Sequence, residues 1–316
     1  MKFGETLSVR VAEIEAITLL VKRFTLVSNA GENLPGFSAG SHVVVYVPGK
    51  DRIYRNAYSL ISAPRTRDYY QIGVLRQEQS RGGSVYMHEQ VKVGDLLQIT
   101  PPVNLFPLDR LARKHILIAG GIGITPFLSY LNELAELQVP YELHYAYRTR
   151  AQAAFLEQLT LQLGSILHTY ESGRNRRIRP RSMLANQPLG THMYVCGSVS
   201  FTEAVIESAR ELGWPDSHVH YEQFAAPHPG TSFKVICAKT ACEIDVPEDM
   251  SLLEALELAG ISIPNSCRGG VCGQCETEIL EGEAEHRDSY LSDESRDRKI
   301  TPCVSRAKTG LLVLNL

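Results

Sequence analysis

The chain lacks an apolar run long enough to cross a bilayer. Its longest, residues 116–124, contains three glycines and falls far short of the roughly 20 residues that a membrane helix needs, so no membrane partner is expected. Excess charge of either sign is also missing. Thirty-two basic and 35 acidic side chains leave a formal −3 over 316 residues, which offers no general attraction to nucleic acid or anionic lipid. Residues 1–10 carry no basic flank followed by an apolar segment, so no signal peptide is expected and a cytoplasmic location is the default. Cysteine is too sparse and too odd in number for a disulfide framework: there are seven, four of them in the last fifty residues, a clustering that points to metal or redox chemistry. Hydrophobic residues at 44% and charged residues at 21% exclude wholesale disorder and coiled-coil rods, and the length suggests two or three domains.

Up to about residue 108 the pattern is one of short β-rich runs, 42–47, 53–61, 69–75 and 96–100, separated by turn residues such as Pro48-Gly49 and Gly94-Asp95. That spacing predicts a small antiparallel β-barrel. A helix is predicted at 84–91, directly after Arg81-Gly82-Gly83. From residue 115 strands alternate with helices: 115–119, then a glycine turn and the apolar stripe Phe127, Leu128, Leu131, Leu134, Leu137; 141–147, then 151–163; 193–196, then 201–212. Thr125 reads as the cap of the first helix with Pro126 at its first position, Ser200 with Glu203 as a capping box for the last, and Gly213 as its stop. Such alternation predicts an α/β domain with a parallel sheet covered on both faces. Residues 226–232 hold two prolines and no periodicity and read as a linker. Strands resume at 233–238 and 242–246, Ser251 and Glu254 bracket a helix over 252–259, and 311–314 forms a last strand. The expected domains are 1–108, 109–225 and 233–316.

The motif of highest specificity is Cys267-x4-Cys272-x2-Cys275 followed by Cys303, the plant-type spacing in which four thiolates hold a 2Fe-2S cluster. Arg268, Gly269, Gly270, Val271 and Gly273 fit the requirement that backbone N–H groups approach the cluster sulfurs. Zinc is the alternative, but zinc ribbons present two close cysteine pairs and this spacing is three plus one. The remaining Cys196, Cys237 and Cys242 follow no ligand spacing and read as small buried hydrophobes. A second candidate site is the turn Gly120-Gly121-Ile-Gly123-Ile-Thr125-Pro126 after a buried strand. Three glycines permit close approach of a pyrophosphate to the N–H groups of the next helix, although such turns are often only tight packing. The third is Arg55-Asn56-Ala57-Tyr58-Ser59 on one barrel strand, together with Ser80-Arg81-Gly82-Gly83-Ser84. An aromatic ring beside a hydroxyl can pack against a flavin and hydrogen-bond its edge, while Tyr58 as a plain cross-strand aromatic and Arg55 as a solvated charge remain alternatives.

The stretch Pro264-Asn-Ser-Cys-Arg-Gly-Gly-Val-Cys-Gly-Gln-Cys275, with Tyr290-Leu-Ser-Asp-Glu294 ahead of Cys303, resembles a plant-type ferredoxin of the β-grasp fold. Barrel, nucleotide-binding sheet and C-terminal ferredoxin in that order resemble the phthalate dioxygenase reductase family of the ferredoxin-NADP reductase superfamily, over nearly the whole chain. The resemblance implies FMN, NADH and 2Fe-2S sites on one polypeptide, hydride transfer from nicotinamide to flavin, and single electrons passed to a separate Rieske-type oxygenase. It places Gly73, Val74 and Leu75 along the flavin ring, the 80–84 loop on its phosphate, Ser59 near flavin N5, Thr125 and Phe224 beside the flavin, and Cys196 at the nicotinamide. One position departs from the superfamily motif Arg-x-Tyr-Ser: Tyr58 and Ser59 match, but the arginine falls on Asn56, with Arg55 one residue early. Neighbours on a strand face opposite ways, so either Asn56 makes a weaker polar contact or a bulge re-aims Arg55. Similar reductases use FAD. Arg148, Arg150, Arg174, Arg176 and Arg177 leave NADPH open beside NADH, whereas Glu171 suits the free ribose hydroxyls of NADH. The readings from other classes are a non-catalytic 2Fe-2S electron carrier and, with zinc in the cysteines, a structural interaction module.

Overall fold

The computed structural model describes residues 6–49, 53–77, 82–224 and 229–316 and divides into two compact units, Met1–Phe224 and Ala225–Leu316. Ser80, Arg81 and linker residues 226–228 lie outside the described residues.

The first unit opens with β1 (Leu7–Ala16), β2 (Val21–Ser28), β3 (Ser41–Pro48), β4 (Ile53–Ser59), β5 (Tyr69–Leu75), α1 (Gly83–Glu89), β6 (Leu96–Ile99) and β7 (Val103–Asn104). Their sheet runs β4-β3-β6-β1-β2-β5, with β7 on β3. An antiparallel bridge from Leu60 to Ile72 joins the ends of the sheet, so that it nearly closes into a barrel. Every second residue of β3, Val43, Val45 and Val47, points into a core shared with Val9, Val11, Phe24, Leu26, Tyr70, Ile72 and Val74, the period of two expected of a barrel wall. β1 and β2 are absent from the sequence-based expectations. A register shift between Val11 and Glu13 breaks the alternation by which β1 would have been found.

The second sheet of this unit is parallel, as expected, in the order β10-β9-β8-β11-β12. Its elements are β8 (Lys114–Gly120), α2 (Thr125–Leu137), β9 (Tyr141–Tyr147), α3 (Leu156–Leu163), β10 (Leu167–Glu171), α4 (Pro180–Leu184), β11 (Thr191–Gly197), α5 (Val199–Glu211) and β12 (Val219–Gln223). Along β8, Leu117 and Ala119 pack with α2 and α3, whereas Ile116 and Ile118 pack with Leu184 of α4 and Val205 and Ala209 of α5. The near-continuous apolar run of that strand follows from burial on both faces. Val21, Ala39, Ile61 and Phe106 of the barrel region join the α2–α3 core, so barrel and parallel sheet share one packed interior. The edge strands β10 and β12 carry polar sequences, His168-Thr169-Tyr170 and His220-Tyr221-Glu222, and gave no strand signal.

Several predicted boundaries move for local reasons. α2 begins at Thr125 with Ile124 as its cap, and the Thr125 hydroxyl donates back to Ile122 O at 3.0 Å instead of capping. α5 starts at Val199 without a side-chain cap, so the Ser200–Glu203 box is not formed. α3 begins only at Leu156 because Phe155 is left-handed at φ 61°, a conformation that interrupts a right-handed helix.

The second unit contains β13 (Phe233–Cys237), β14 (Cys242–Val246), α6 (Leu252–Leu258), β15 (Thr277–Glu281), β16 (Ala284–Glu285), α7 (Asp293–Arg296), β17 (Lys299–Ile300), β18 (Arg306–Ala307) and β19 (Leu311–Leu314). The sheet runs β14-β13-β19-β15-β17, with β13 and β19 parallel. Leu252, Leu253, Ala255 and Leu256 of α6 pack on Val235, Val246, Leu312 and Leu314, the helix-on-sheet arrangement of a β-grasp. The helix bracketed by Ser251 and Glu254 opens with a capping box: Glu254 N donates to Ser251 Oγ at 3.2 Å and Ser251 N to Glu254 Oε2 at 2.9 Å. From the exposed end of α6, Glu257 holds Arg268 of the cysteine loop through two 2.8 Å bonds, with the two side chains only 11% and 10% exposed.

Arg268 sits at φ 51°, a strained position for a side chain, and its guanidinium is held by the buried pair. Arg268→Ala would take the buried guanidinium from the Glu257 carboxylate, and breaking a buried pair from one side is destabilising by up to about 3–5 kcal/mol. The expected outcome is a lower unfolding temperature of the C-terminal unit and faster bleaching of cluster absorbance, measured by calorimetry and by visible spectroscopy.

His115 of β8 is fully buried, neither ring nitrogen has a hydrogen-bond partner, and burial pushes its ring down to about 4. His220 is likewise pushed to about 4 by burial and by His192, and Asp109, His192, His218 and Tyr194 face the same group. The unfolded imidazoles take up protons near 6.5 while the folded ones stay neutral down to about 4, so stability present above pH 6.5 is lost as pH falls through that window. Denaturant midpoints measured across it should fall, and His115→Leu should flatten the dependence.

Candidate functional site

β4 carries the residues expected to meet a flavin. It pairs with β3 without a shift from Ile53 opposite Pro48 to Ser59 opposite His42, so strand alternation separates Asn56 and Tyr58 from Arg55. Of the two alternatives for the displaced arginine, the bulge is not formed. Arg55 lies on the other face, its guanidinium 5.2 Å from the centre of the Tyr46 ring, a side it shares with exposed Ala57 and, at the strand end, with Ser59. Asn56 Nδ2 donates to the Tyr58 hydroxyl at 3.2 Å, and burial pushes that phenol up to about 12, which keeps it neutral. Ser59 is buried, and its hydroxyl has no partner in the protein.

The glycine loop lies against the same strand. A Cβ on Gly82 would stand 2.9 Å from the Tyr54 ring and one on Gly83 2.8 Å from the Asn56 amide, while φ of 124° at Gly82 admits almost nothing but glycine. The loop thus meets Asn56 only because it has no side chains there. Ser84 is buried and accepts from Gln77 N at 3.3 Å. On the neighbouring strand, the register that pairs Leu60 with Ile72 sets Ser59 opposite Gly73. Gly73 in turn abuts α2, where an added Cβ would be 3.0 Å from Thr125 Cγ2. The Val74 side chain points into the barrel core and its carbonyl is bonded to His88 Nε2 at 2.9 Å, while Leu75 packs against the core of the parallel sheet.

The turn Gly121–Ile124 is a short 3-10 helix leading into α2. Two of its glycine neighbourhoods are explained by packing. A Cβ on Gly120 would meet Phe201 at 2.8 Å, and one on Gly123 would lie 2.2 Å from the Cys196 carbonyl. Gly121 differs: it is left-handed at φ 55° and nothing stands within 4 Å of its missing side chain. Cys196 is fully buried, its thiol 4.0 Å from Glu222 Oε2, and burial with that carboxylate pushes it well above the ordinary thiol range. It stays a protonated, non-nucleophilic group. Phe224 N donates to Gly197 O at 3.3 Å and its ring is half-buried beside the same core. Glu222 and Phe201 were not singled out from the sequence. Glu222 becomes visible only through the β11–β12 register that sets it beside Cys196.

These contacts make one line from Asn56 and Tyr58 through Ser59, Gly73, Thr125 and Gly123 to Cys196. An unpartnered buried hydroxyl, a cradle that a single Cβ would fill and an open left-handed glycine are features that fit a flavin and a pyridine nucleotide. Glu171, considered for the ribose, is engaged locally by the Arg150 N–H at 3.2 Å and by Arg174 at 3.3 Å.

In the second unit the four cysteines of the motif are free thiols that converge. Cys275 and Cys303 Sγ are 3.3 Å apart, and Gly269 N donates to Cys267 Sγ at 3.3 Å. Hydrogen bonds from Cys272 and Cys303, with the N–H groups of Gly269 and Val271, hold the Cys267 thiol far below its usual range. The loop can wrap them because Gly270 and Gly273 are left-handed at φ 76° and 69°, and a Cβ on Gly273 would lie 2.1 Å from the Tyr290 ring. Four sulfurs with N–H donors aimed at them fit a 2Fe-2S centre. Cys237 and Cys242 face each other across the β13–β14 hairpin; Cys237 is buried as expected, while Cys242 is only half-buried.

Residues 235–308 match the 2Fe-2S iron-sulfur cluster binding domain family, and 97–219 match the N-terminal domain of the dimethylamine monooxygenase subunit DmmA-like family. The chain is 48% identical over 310 residues to the heme-dependent oxidative N-demethylase beta subunit of Ectopseudomonas mendocina, with 98% of this chain and 99% of that one covered. It is 45% identical over 313 residues to the carnitine monooxygenase reductase subunit of Escherichia coli, with 98% of each covered. In fold it is similar to phthalate dioxygenase reductase, a modular structure for electron transfer from pyridine nucleotides to 2Fe-2S, at a TM-score of 0.87 and 33% identity over 98% of each chain. With the barrel, the parallel sheet and the cluster domain all in place, the chain belongs to the phthalate dioxygenase reductase family, the oxidoreductases that carry electrons from pyridine nucleotide through flavin to a 2Fe-2S cluster in oxygenase systems.

Proposed function

We propose that this chain is the NADH-dependent, FMN-containing reductase of a multicomponent oxygenase, and that its partner is a Rieske-type oxygenase. The observation that carries the site assignment is the unbroken line from Tyr58 and Ser59 to Cys196 in one unit, accompanied by the four-thiol loop in the other. A bound flavin takes two electrons at once from reduced pyridine nucleotide and releases them singly, which a one-electron cluster requires.

The protein's own residues do the positioning. Tyr58 offers a neutral ring face, Asn56 holds its hydroxyl, and the Ser59 hydroxyl is available to the flavin edge. Gly82, Gly83 and Ser84 offer compact backbone to a phosphate, and Arg81 of that loop belongs to the same assignment. Gly120, Gly121 and Gly123 admit the dinucleotide, Cys196 packs beside the nicotinamide as a neutral thiol, and Phe224 covers the ring. No side chain needs to move a proton. Cys267, Cys272, Cys275 and Cys303 hold the cluster. The domain limits we assign are 1–108, 109–225 and 233–316, with the reaction taking place in the cytoplasm.

A second reading of the partner has its own support. The relative at 48% identity is the beta subunit of a heme-dependent N-demethylase, and the match over 97–219 is to a dimethylamine monooxygenase subunit, so a heme-containing oxygenase acting on a methylated amine is the competing acceptor. Mixing the reductase with one oxygenase of each kind and following NADH oxidation coupled to product decides between them. Coupled turnover with the Rieske-type protein alone is expected, and coupling with the heme protein alone would replace the proposal.

Two substitutions test the flavin assignment. Tyr58→Ala with Ser59→Ala should abolish flavin absorbance and NADH-driven dye reduction while iron content is retained. Asn56→Ala removes one neutral hydrogen bond, so flavin retention should weaken about threefold to tenfold, measured by fluorescence release. Acid extraction yielding FAD, or faster turnover with NADPH than with NADH, would overturn the cofactor assignment.

A further inference from the structure

The face of the parallel sheet turned away from Cys196 carries a polar cluster that electron transfer does not use. Two short sequences build it, Glu142-Leu143-His144 on β9 and His168-Thr169-Tyr170 on β10. Leu143 and Tyr145 point into the core that contains Cys196, so the period of two turns Glu142 and His144 to the opposite face. The parallel register sets His168 directly beside His144, and their rings stack with centres 4.7 Å apart. Tyr170 OH lies 2.9 Å from His144 Nδ1, and His144 Nε2 lies 3.2 Å from Glu142 Oε2.

We propose that Glu142, His144 and His168 form a binding site for one divalent transition cation, with zinc as the reference ion. One ligand atom from each lies within 4.8 Å of the other two. Two imidazoles and a carboxylate are an established zinc donor set, and bonds of about 2.0–2.1 Å in a tetrahedron place ligand atoms about 3.4 Å apart. Because the two rings stack nearly parallel at 17°, both can reach one ion only if the exposed ring of His168 turns out of the stack, whereas His144 is only 5% exposed and held by its neighbours. A hydrogen bond from His144 Nδ1–H to the Tyr170 hydroxyl would fix the tautomer that leaves Nε2 free for a metal, the usual support of a ligating histidine. The exposed side of His168 supplies the entry path and room for a water as fourth ligand.

One group opposes the ion. Lys114 Nζ donates to Glu142 Oε1 at 2.6 Å and to Gln187 Oε1 at 3.0 Å, so a cation already shares the carboxylate. Its position gives the test a second arm that a merely structural cluster would not obey. Zinc binding to the holoprotein, with iron and flavin content verified so that the cluster thiols are occupied, is measured by equilibrium dialysis. Wild type should retain one zinc per chain that His168→Ala releases, and Lys114→Gln should hold it at least threefold more tightly. Zinc should also raise the unfolding temperature of wild type and leave that of His168→Ala unchanged. Because His168 is exposed, that variant is expected to fold and to keep NADH-driven dye reduction. Equal zinc in wild type and His168→Ala, no zinc retained by wild type at 0.1 mM (roughly tenfold above a 10 µM site, a ~1.4 kcal/mol margin), or unchanged affinity in Lys114→Gln would overturn the site.

Discussion

The candidate flavin and nucleotide site of the first unit depends on backbone meeting its neighbours where no side chain intervenes. At Gly123 the approach to the Cys196 carbonyl leaves no room for a single methyl group, and Gly83 and Gly73 stand nearly as close to Asn56 and Thr125. Interiors are packed too densely to yield at such points, so each of these glycines fixes the distance between two elements far apart in sequence. The barrel seam at Leu60–Ile72 does the rest. It brings Ser59 to Gly73 and so delivers the end of β4 to the start of α2.

The cysteine loop obeys a related constraint with a different solution. Its left-handed glycines let the chain curl around four thiols, but a curled loop without regular secondary structure has few backbone bonds to hold it. The Arg268–Glu257 pair and the Tyr290 ring against Gly273 anchor it to α6 and to the segment before α7. The neutral thiol of Cys196 and the convergent thiols of this loop show the same residue type put to opposite uses. Burial beside a carboxylate keeps a proton on Cys196, whereas N–H donors and neighbouring thiols draw one from Cys267.

Much of this architecture could be read from residue order. The alternation of strand and helix after residue 115, the helix bracketed by Ser251 and Glu254 and the boundaries of β9, β14 and β19 follow from spacing, periodicity and turn chemistry, and the structure has them; the four cysteines of the motif, read from spacing alone, converge in one loop. What escaped detection shares a cause. β1 is interrupted by a bulge, and β10 and β12 are polar edge strands, for which a period-two apolar signal is weak. The Thr125 and Ser200 caps were misplaced because a helix start is decided by the turn that feeds it, not by the capping residue alone.

Residue order alone determined which chemistry the chain can perform, since four thiols at fixed spacing, a glycine turn after a buried strand and Tyr58-Ser59 are local properties. Tertiary structure alone decided who stands next to whom. Arg55 stands on the face opposite Asn56 because the β3–β4 register has no shift, Glu222 reached Cys196 through the pairing of β11 with β12, and His168 met His144 through that of β9 with β10. Strand register is set by the burial of whole faces against the core, a long-range balance that no local stretch of sequence contains.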